Sequence, residues 1–578
     1  MSLLATTALM ACLTLQDSSG QGRPGFPGLG AGRAPRVEIP WNRLQNSSGI
    51  YSHLDRLVAQ YPSLLSYEVI GHSTLGREMR VYTLNNGRTG KHHEKPAMWV
   101  DGNVHGNEVQ GGEAVVYLAW YLLENYGSNE RVSDLVDRSA FYLLPMVNPD
   151  GRDSWFADGN TAHSSRTGSL PIDSDQDGLF DEDGPEDLNG DGSITSMRRY
   201  TPGKGTHRLN REDERIMERV GRDEKPGDWT LMRSEGIDND GDGRINEDGV
   251  GGYDMNRSWP ATWQPGHVQF GAGPYPLYWP EAKCIANFLY GRPNVAALQS
   301  FHNSGGMILR GPGAEVFGTY PAADLRVYDS LGSDGEKMLP FYNYMVIWKD
   351  LYSVFGGFAT WGYEGLGIIS FTNELWASQQ NSPDGRVKDT HFFDDQLLMG
   401  AGFVDWEPYE HPFYGPVEIG GFKKDVGRVP PSFMIEEMLH RNALFCILHA
   451  EAMPKIRIGE PVVSDLGGGL RAIDVTFENQ SKIPTRSALA TREKLGLPDT
   501  ILLSGKGLEV IAGGLRSDDM RPERIELQEH QPERLIRTGG IEGLQKLKVR
   551  WIVRGSGSVQ ISYRAEKARD VSLALELK

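Results

Sequence analysis

The chain has 578 residues and a formal net charge of −18 at neutral pH. This length exceeds that of one ordinary domain, so roughly two or three domains are expected. The negative charge argues against nucleic acid as a partner, because phosphate binding needs clustered Lys and Arg. The cysteines, Cys12, Cys284 and Cys446, are too few for a disulfide framework, and no Cys-x-x-Cys pair indicates a thiolate metal site.

The N-terminal residues 2–15 are small and apolar and include Cys12, a pattern typical of the end of a secretory signal of the lipoprotein kind. No Lys or Arg precedes them, so an unstructured N-terminus is the alternative. Residues 16–38, rich in Gly, Pro, Ser and Arg, indicate a flexible linker. We therefore expect an exported protein (periplasmic, cell-surface or secreted), with acylation of Cys12 left open and no membrane span.

The first half of the chain predicts helices alternating with strands. Apolar residues at helical spacing predict helices over 48–61 and 109–125. Strands are predicted over 65–70, 79–84, 97–101 and 141–147. The last strand is followed by Asn148-Pro149-Asp150-Gly151, which we interpret as a turn because Pro fixes φ and Gly permits positive φ. This alternation predicts a mixed α/β sheet covered on both faces.

The same alternation resumes after residue 252. A helix over 280–290, strands over 295–301 and 367–372 and a closing helix over 431–453 complete a domain predicted to span 39–454. Beyond it, short alternating strands are predicted over 473–477, 547–553, 559–563 and 571–577. They predict a small all-β sandwich over 455–578. It carries no catalytic cluster, so packing, stabilisation or surface attachment is its expected role.

His105 and Glu108 lie three residues apart in a loop between a predicted strand and a predicted helix. Imidazole nitrogen and carboxylate oxygen both bind zinc at about 2 Å, but one such pair is weak evidence. His302 and Glu374 also follow predicted strands, and strand ends in an α/β sheet converge on one edge. Three of these residues would form a His₂Glu zinc site with one position open to water, leaving Glu374 to take a proton from that water.

Six segments around these residues follow one another along the chain: GHSTLGREM, DGNVHGNE, MVNPDG, YDMNRSW, LQSFHNSGG and ISFTNEL. Together they resemble the motifs of zinc carboxypeptidases of the carboxypeptidase A type, in that family's order. The resemblance covers roughly residues 40–453. It implies an eight-stranded mixed sheet flanked by helices, and zinc-dependent hydrolysis of the C-terminal peptide bond of peptides or proteins.

The resemblance assigns the central roles. His105, Glu108 and His302 match the zinc ligands, and Glu374 matches the general base. In this chemistry zinc lowers the pKa of its water to about 7 and polarises the scissile carbonyl. The base accepts the water proton and passes it to the leaving amine.

Further positions match groups that hold the substrate. Asn256 and Arg257 match the pair that binds the substrate's C-terminal carboxylate, for which Arg offers a bidentate fork. Tyr352, reached by a gapless count back from the general base, matches the family's mobile tyrosine, which covers that carboxylate. The family also uses an arginine after its Asn-Pro-Asp-Gly segment to stabilise the oxyanion. Arg166 is the preferred match, and Arg152, which follows the turn closely, is the rival.

Two positions depart from the family pattern. The position that reads the side chain of the C-terminal residue falls on Ala359, neither the acid expected for basic substrates nor a bulky aliphatic residue, so the preference stays open. Asn303 replaces the usual Ser after His302 and could tune its surroundings.

Two alternative functions are left open. One is a zinc amidase acting on peptidoglycan stem peptides or acyl-amino acids, and the other is a catalytically dead binding protein.

Residues 152–252 form an acidic, glycine-rich insertion with three repeated patterns. Loop one (173–183) and loop three (238–248) share one Asp-x-Asp-x-Asp-Gly pattern, and loop two (187–192) begins the same way. Hard oxygen ligands at alternating positions, with Gly at the sharp turn, are typical of calcium loops, and weak calcium sites fit an exported protein. A solvated acidic loop is the alternative. The candidate calcium ligands are Asp173, Asp175, Asp177, Asp181, Asp183, Asp187, Asn189, Asp191, Asp238, Asp240, Asp242, Asn246 and Asp248.

Overall fold

The structure is a computed structural model that describes residues 34–578 except 158, 175, 381–385, 517–520 and 522–523. The predicted signal with Cys12, most of the linker and Asp175 therefore lie outside the described residues. Within the described part of the chain, Cys284 and Cys446 are free thiols. No helix in that part is both long and apolar enough to cross a membrane.

The helices bear labels in chain order. They are α1 (Ser47–Gln60), α2 (Gln110–Asn125), α3 (Glu130–Arg138), α4 (Pro149–Phe156), α5 (Pro280–Tyr290), α6 (Ala322–Met338), α7 (Phe358–Glu364), α8 (Val387–Leu397), α9 (Ile435–Glu451) and α10 (Ala488–Arg492). The sequence predicts α1, α2, α5 and α9 with small end shifts. It predicts no helix at the positions of α3, α6, α7, α8 and α10.

The strands are likewise numbered along the chain. The first twelve are β1 (Leu65–His72), β2 (Glu78–Leu84), β3 (Ala97–Gly102), β4 (Ala140–Leu144), β5 (Ser196–Gly205), β6 (His207–Leu209), β7 (Met217–Arg219), β8 (Gly227–Ser234), β9 (Val295–Asn303), β10 (Met307–Arg310), β11 (Asn343–Val346) and β12 (Ile369–Leu375). The others are β13 (Phe403–His411), β14 (Gly415–Phe422), β15 (Ile456–Ile458), β16 (Val462–Gly467), β17 (Leu470–Asn479), β18 (Asp499–Gly505), β19 (Glu509–Leu515), β20 (Glu526–Leu527), β21 (Arg534–Arg537), β22 (Lys546–Arg554), β23 (Gly557–Ala565) and β24 (Ala568–Leu577).

The main sheet has eight strands in the order β1-β2-β4-β3-β9-β12-β10-β11. The central strands β4, β3, β9 and β12 run parallel, and the outer pairs β1–β2 and β10–β12 are antiparallel. Every residue of β3 and β9 is buried, because α1, α2, α6 and α9 cover one face and α5 and α7 the other. The predicted eight-stranded mixed sheet flanked by helices is thus confirmed.

The Asn-Pro-Asp-Gly segment begins a helix, so the predicted turn was wrong. β4 ends at Leu144, and Asn148 then caps α4 by accepting a 2.8 Å hydrogen bond from the Gly151 N–H. Pro149 occupies the first turn, where its missing N–H costs nothing. Asn and Pro are as typical of a helix start as of a turn, and only the downstream sequence separates the two.

The acidic insertion contains strands as well as loops. β5–β8 join β13 and β14 in a second sheet, in the order β13-β14-β5-β8-β6-β7. Its small core includes Met197, Ile245, Val417 and Ile419. Sequence analysis does not predict this sheet, because its strands carry many charged residues and the hairpin that completes it lies about two hundred residues further along the chain.

The C-terminal region is a sandwich of two antiparallel sheets, as predicted. One has the order β15-β17-β22-β19-β20 with β16 on β17, and the other has the order β21-β18-β23-β24. Their shared core includes Phe477, Ile501, Trp551 and Ile561. The sandwich docks on the main domain through Asp324 of α6, whose buried carboxylate accepts hydrogen bonds from the first two N–H groups of α10.

Candidate active site

Three neighbouring strands deliver the central residues to one edge of the main sheet. His105 follows β3, His302 lies near the end of β9, and Glu374 lies near the end of β12, directly beside His302 in the parallel ladder. The turn after β3 needs Gly102, because a Cβ there would lie 2.4 Å from the Gly111 carbonyl carbon at the start of α2. That close approach brings the His105 loop over the sheet edge.

His105, Glu108 and His302 converge on one point. The Glu108 carboxylate lies 2.8 Å from Nδ1 of His105 through one oxygen and 2.9 Å from Nδ1 of His302 through the other. The two Nδ1 atoms are 3.3 Å apart, and all three side chains are buried. Two imidazole nitrogens and one carboxylate are a donor set that zinc accepts, so these residues fit the metal.

The charges of this cluster favour metal binding. Burial alone would raise the pKa of Glu108, but the two histidines hold it well below its usual range. Burial lowers the pKa of His105, yet Glu108 and Asp254 outweigh burial and raise it overall. Glu108 is therefore ionised, which is the form in which a carboxylate binds a metal ion.

Asp254 supports His105 from behind, a role that the sequence reading missed. Its Oδ1 lies 3.0 Å from Nε2 of His105, so the carboxylate fixes the ring with Nδ1 facing Glu108. His105 and Arg257 hold the pKa of Asp254 well below its usual range despite burial. Asp254 lies within the YDMNRSW segment, and its position beside Asn256 and Arg257 is the feature of the sequence that could have indicated this role.

We expect Asp254→Asn to weaken zinc binding about 10- to 100-fold, because the neutral amide no longer orients and polarises His105. The measurement is zinc content after dialysis against buffers of graded free zinc. Asp465→Asn, an exposed change in the C-terminal sandwich, is the control. Equal zinc affinity in Asp254→Asn and wild type would contradict the role.

Glu374 faces the same cleft as the two histidines. Burial, and then the charge of Glu108, raise the pKa of Glu374 to about 7. A carboxylate with a pKa near neutrality can both accept and return a proton, which is what a general base followed by a general acid must do.

The structure separates the two candidate arginines. Arg152 is fully buried, and its guanidinium donates to the backbone carbonyls of Gln45 and Val109 and pairs with Glu113 at 3.0 Å. Its bonds therefore hold α4 to α2 and to the segment that precedes α1. Arg166 lines the cleft with its side chain 34% exposed, and its Nη1 lies 3.1 Å from Glu108.

A further arginine near the metal cluster was not predicted. Arg428 lies in the segment between β14 and α9, and its Nη2 is 3.8 Å from Glu108. Its backbone carbonyl accepts a 2.9 Å hydrogen bond from the Gln110 side chain, which ties this segment to the start of α2. No motif marks Arg428, because only the folding of a distant segment brings it here.

Asn256, Arg257 and Tyr352 also line the cleft. Asn256 is fixed by a 2.8 Å hydrogen bond from the Phe358 N–H at the start of α7. Arg257 is buried, and its guanidinium donates to the Asn256 carbonyl at 2.9 Å. Tyr352 follows a single π-helical turn, Ile347–Leu351, and its side chain is half exposed. A fixed guanidinium, a fixed amide and an exposed phenol can together bind a carboxylate.

The remaining wall of the cleft is mostly apolar. It includes Leu309, Ile347, Val354 and Phe358, with Ala359 among them. Within this wall, Leu309, Ile347 and Val354 pack together as a small buried cluster. Among the described lining residues, Glu374 is the only acid.

The three acidic loops share one backbone conformation. In each, the first Asp accepts hydrogen bonds from the N–H groups three and five residues later, as Asp187 does from Gly190 and Gly192. The glycine at the sixth position has positive φ in all three, which an L side chain would rarely adopt.

The candidate cation ligands do not all converge. Asp238, Asp240 and Asp242 of loop three have carboxylate oxygens within 4.8 Å of one another. Asp181 instead accepts hydrogen bonds from two backbone N–H groups, those of residues 172 and 251. The Asn246 amide donates to the Ser234 carbonyl.

Comparison with known proteins identifies related sequences. A family model described as zinc carboxypeptidase matches residues 50–393, and one described as a domain of unknown function matches residues 455–576. Carboxypeptidase Z of Homo sapiens is 34% identical over 138 residues, which cover 23% of this chain and 21% of that protein. Carboxypeptidase B of Astacus astacus is 30% identical over 134 residues, covering 23% of this chain and 42% of that protein. The matched segments thus span less than half of either relative.

Solved structures with a similar arrangement include carboxypeptidase A from Helicoverpa armigera. That comparison gives a TM-score of 0.45 at 14% identity, covering 73% of this chain and 76% of the other. The family assignment therefore rests on the match to the family model and not on this structural similarity.

Proposed function

The chain belongs to the zinc carboxypeptidase family, and on that premise we propose that it is a zinc metallocarboxypeptidase acting on the C-terminal bond of peptides and proteins. One observation carries the proposal. The metal-binding cluster of His105, Glu108 and His302 shares one cleft with a general base, Glu374, and a carboxylate-binding side chain, Arg257. A catalytically dead relative would not need this complete set.

His105, Glu108 and His302 would hold the zinc ion. When bound, zinc lowers the pKa of a water molecule and polarises the scissile carbonyl. Glu374 takes a proton from the attacking water and gives it to the leaving nitrogen. Arg166 donates to the carbonyl oxygen as negative charge develops there, an interaction worth about 3 kcal/mol.

Arg257, Asn256 and Tyr352 would make the enzyme an exopeptidase. The Arg257 guanidinium offers two parallel N–H donors to the free carboxylate of the last residue, and the Asn256 amide donates beside it. Tyr352 covers the carboxylate from its exposed position at the rim. An internal peptide bond has no free carboxylate beside it, so it would not compete with the C-terminal bond for this site.

The wall around Ala359 favours neutral, apolar C-terminal side chains. Leu309, Ile347 and Val354 supply apolar surface. No acid other than Glu374 is present among the described lining residues to pair with a C-terminal Lys or Arg. Burying an unpaired charge there would be costly.

The proposed activity is tested with matched peptides that end in Leu, Phe or Arg, each with a free or an amidated C-terminus. We expect zinc-dependent release of Leu and Phe from the free forms, slower release of Arg, and no release from the amides. Peptidoglycan stem peptides and acyl-amino acids test the amidase alternative. A zinc-loaded enzyme that releases nothing from any free peptide C-terminus would overturn the proposal.

The pH dependence follows from Glu374. The base acts only when ionised, so kcat/KM should fall about tenfold per pH unit once the pH drops below its pKa. In the metal-free cluster that pKa is about 7. Bound zinc adds positive charge nearby and so places the acid limb below pH 7. A limb that persists unchanged in Glu374→Asp would assign it to another group.

We infer further that the acidic loops bind calcium and stabilise the insertion. Their shared turn, the positive-φ glycines and the grouped carboxylates of loop three support this. Without a cation, such close carboxylates repel one another. Added calcium should raise the melting temperature of the zinc-loaded protein, whereas no change and no bound calcium would contradict the assignment.

We also propose that the protein is exported. The signal-like residues 2–15 support export, and so do the calcium-type loops, because weak calcium sites are filled at extracellular concentrations. Fractionation of cells that express the full chain, with and without Cys12→Ser, distinguishes a lipid-anchored form from a released one.

A further inference from the structure

Loops one and three are paired face to face in the structure. The N–H of Asp183 donates to the Asp248 carbonyl at 3.2 Å, and the N–H of Asp248 donates back to the Asp183 carbonyl at the same distance. These residues hold the same position, the eleventh, in their respective repeats. The two loops therefore meet as a symmetric pair joined by a two-residue antiparallel bridge.

Acidic groups from both loops meet beside this bridge. The carboxylate oxygens of Asp183 from loop one and of Asp240 and Glu247 from loop three lie within 4.8 Å of one another. Glu247 occupies the tenth position of its repeat, which the alternating ligand pattern does not use. The basic side chain of loop three, Arg244, approaches Asp242 at 3.7 Å instead.

The buried oxygens at this junction lack hydrogen-bond donors. Asp183 is fully buried, and its Oδ2 has no hydrogen-bond partner; its Oδ1 has only a long 3.4 Å contact with the Asn239 amide. Both carboxylate oxygens of Glu247 are also buried without a hydrogen-bond partner. A buried carboxylate without a donor is costly unless a cation binds it.

We propose that Asp183, Asp240 and Glu247 form a calcium site shared between loops one and three. Three hard, negatively charged oxygen donors suit Ca²⁺, which accepts carboxylates in flexible geometry. This inference deepens the calcium part of the proposed function. The sequence pattern offers only odd-numbered positions of each loop as ligands; here, one ion belongs to both loops and recruits the tenth position of loop three.

The shared site would also steady the segment that carries Arg166. Asp181, two residues before Asp183, accepts a hydrogen bond from the Gly251 N–H at 3.2 Å. Gly251 packs so closely on the carbonyl of Gly168 that a Cβ there would lie 1.9 Å from that oxygen. Locking loop one to loop three therefore holds residues 166–168 in place beside the metal cluster.

The test uses the full-length protein in buffers freed of calcium by resin, with CaCl₂ then added. Calcium binding is followed by equilibrium dialysis, and backbone order by hydrogen exchange in peptides that cover loops one and three and residues 165–170. Calcium should slow exchange in all three regions of the wild type. Glu247→Gln should weaken calcium binding at the shared site about tenfold or more, because one charged ligand is lost.

The variant patterns decide between shared and separate ions. Glu247→Gln and Asp183→Asn should each remove the calcium-dependent protection of both loops, whereas Asp191→Asn in loop two should leave that protection intact. In calcium-free buffer Glu247→Gln should melt no lower than wild type, which shows that it folds. Protection that survives Glu247→Gln, or that is lost from one loop alone, would overturn the shared site. Neither readout depends on peptide hydrolysis, so failure of the carboxypeptidase activity would not affect the result.

Discussion

Replacing Glu374 with Gln should lower kcat about 10²- to 10⁴-fold while the protein keeps its zinc. The amide has the shape of the carboxylate but cannot take a proton from water. Zinc should remain, because the metal-binding cluster comprises His105, Glu108 and His302. The measurement combines single-turnover release of C-terminal Leu with zinc analysis of the same sample.

Glu364→Gln provides a matched control. Burial raises the pKa of Glu364 to about 7, as it does for Glu374, and a 2.7 Å hydrogen bond from Tyr320 holds its carboxylate. Glu364 is not among the residues that line the cleft. If Glu364→Gln keeps normal kcat while Glu374→Gln loses it, the loss depends on the place of Glu374 in the cleft and not simply on removing a buried carboxylate. Comparable losses in both variants would contradict a specific role for Glu374.

The predictable parts of the fold are those in which the local pattern of apolar residues matches the burial of the element in the folded protein. The central strands β3 and β4 are largely apolar because both of their faces are covered, and α1 and α2 show a helical period. His302 and Glu374 could be placed at one edge because parallel strands end together. Motif order then linked these residues to His105 and Glu108.

The parts that were missed depend on long-range pairing. β14 joins β5 across more than two hundred residues, and its alternation alone does not identify a partner. Arg428 reaches Glu108 from a loop without any motif. Pairing between loops one and three likewise arises only when both have folded, so the sequence suggested separate ions where the structure brings carboxylates of two loops together.

Arg257 is the second residue for which a large effect is expected. Arg257→Ala should lower kcat/KM for peptides with a free C-terminus. The expected loss of transition-state binding free energy is about 2–5 kcal/mol, as is usual when one partner of a desolvated charge pair is removed. Arg257→Lys should recover only part of this loss, because an ammonium group keeps the charge but not the two parallel donors. The residual activity should show little preference for free over amidated C-termini.

The comparison of free and amidated peptides separates recognition of the carboxylate from general damage. Arg310→Ala is a suitable control, because Arg310 is similarly buried (11% of its side chain exposed, against 9% for Arg257) but contacts Tyr344 and lies outside the cleft lining. It should keep the preference for free C-termini even if the protein is less stable. Zinc content should be normal in Arg257→Ala, because that arginine is not a member of the metal cluster and His105 still lowers the pKa of Asp254. If Arg257→Ala still hydrolysed free peptides far faster than amides, the carboxylate would have to be bound elsewhere, and Tyr352 and Asn256 would be the first residues to test.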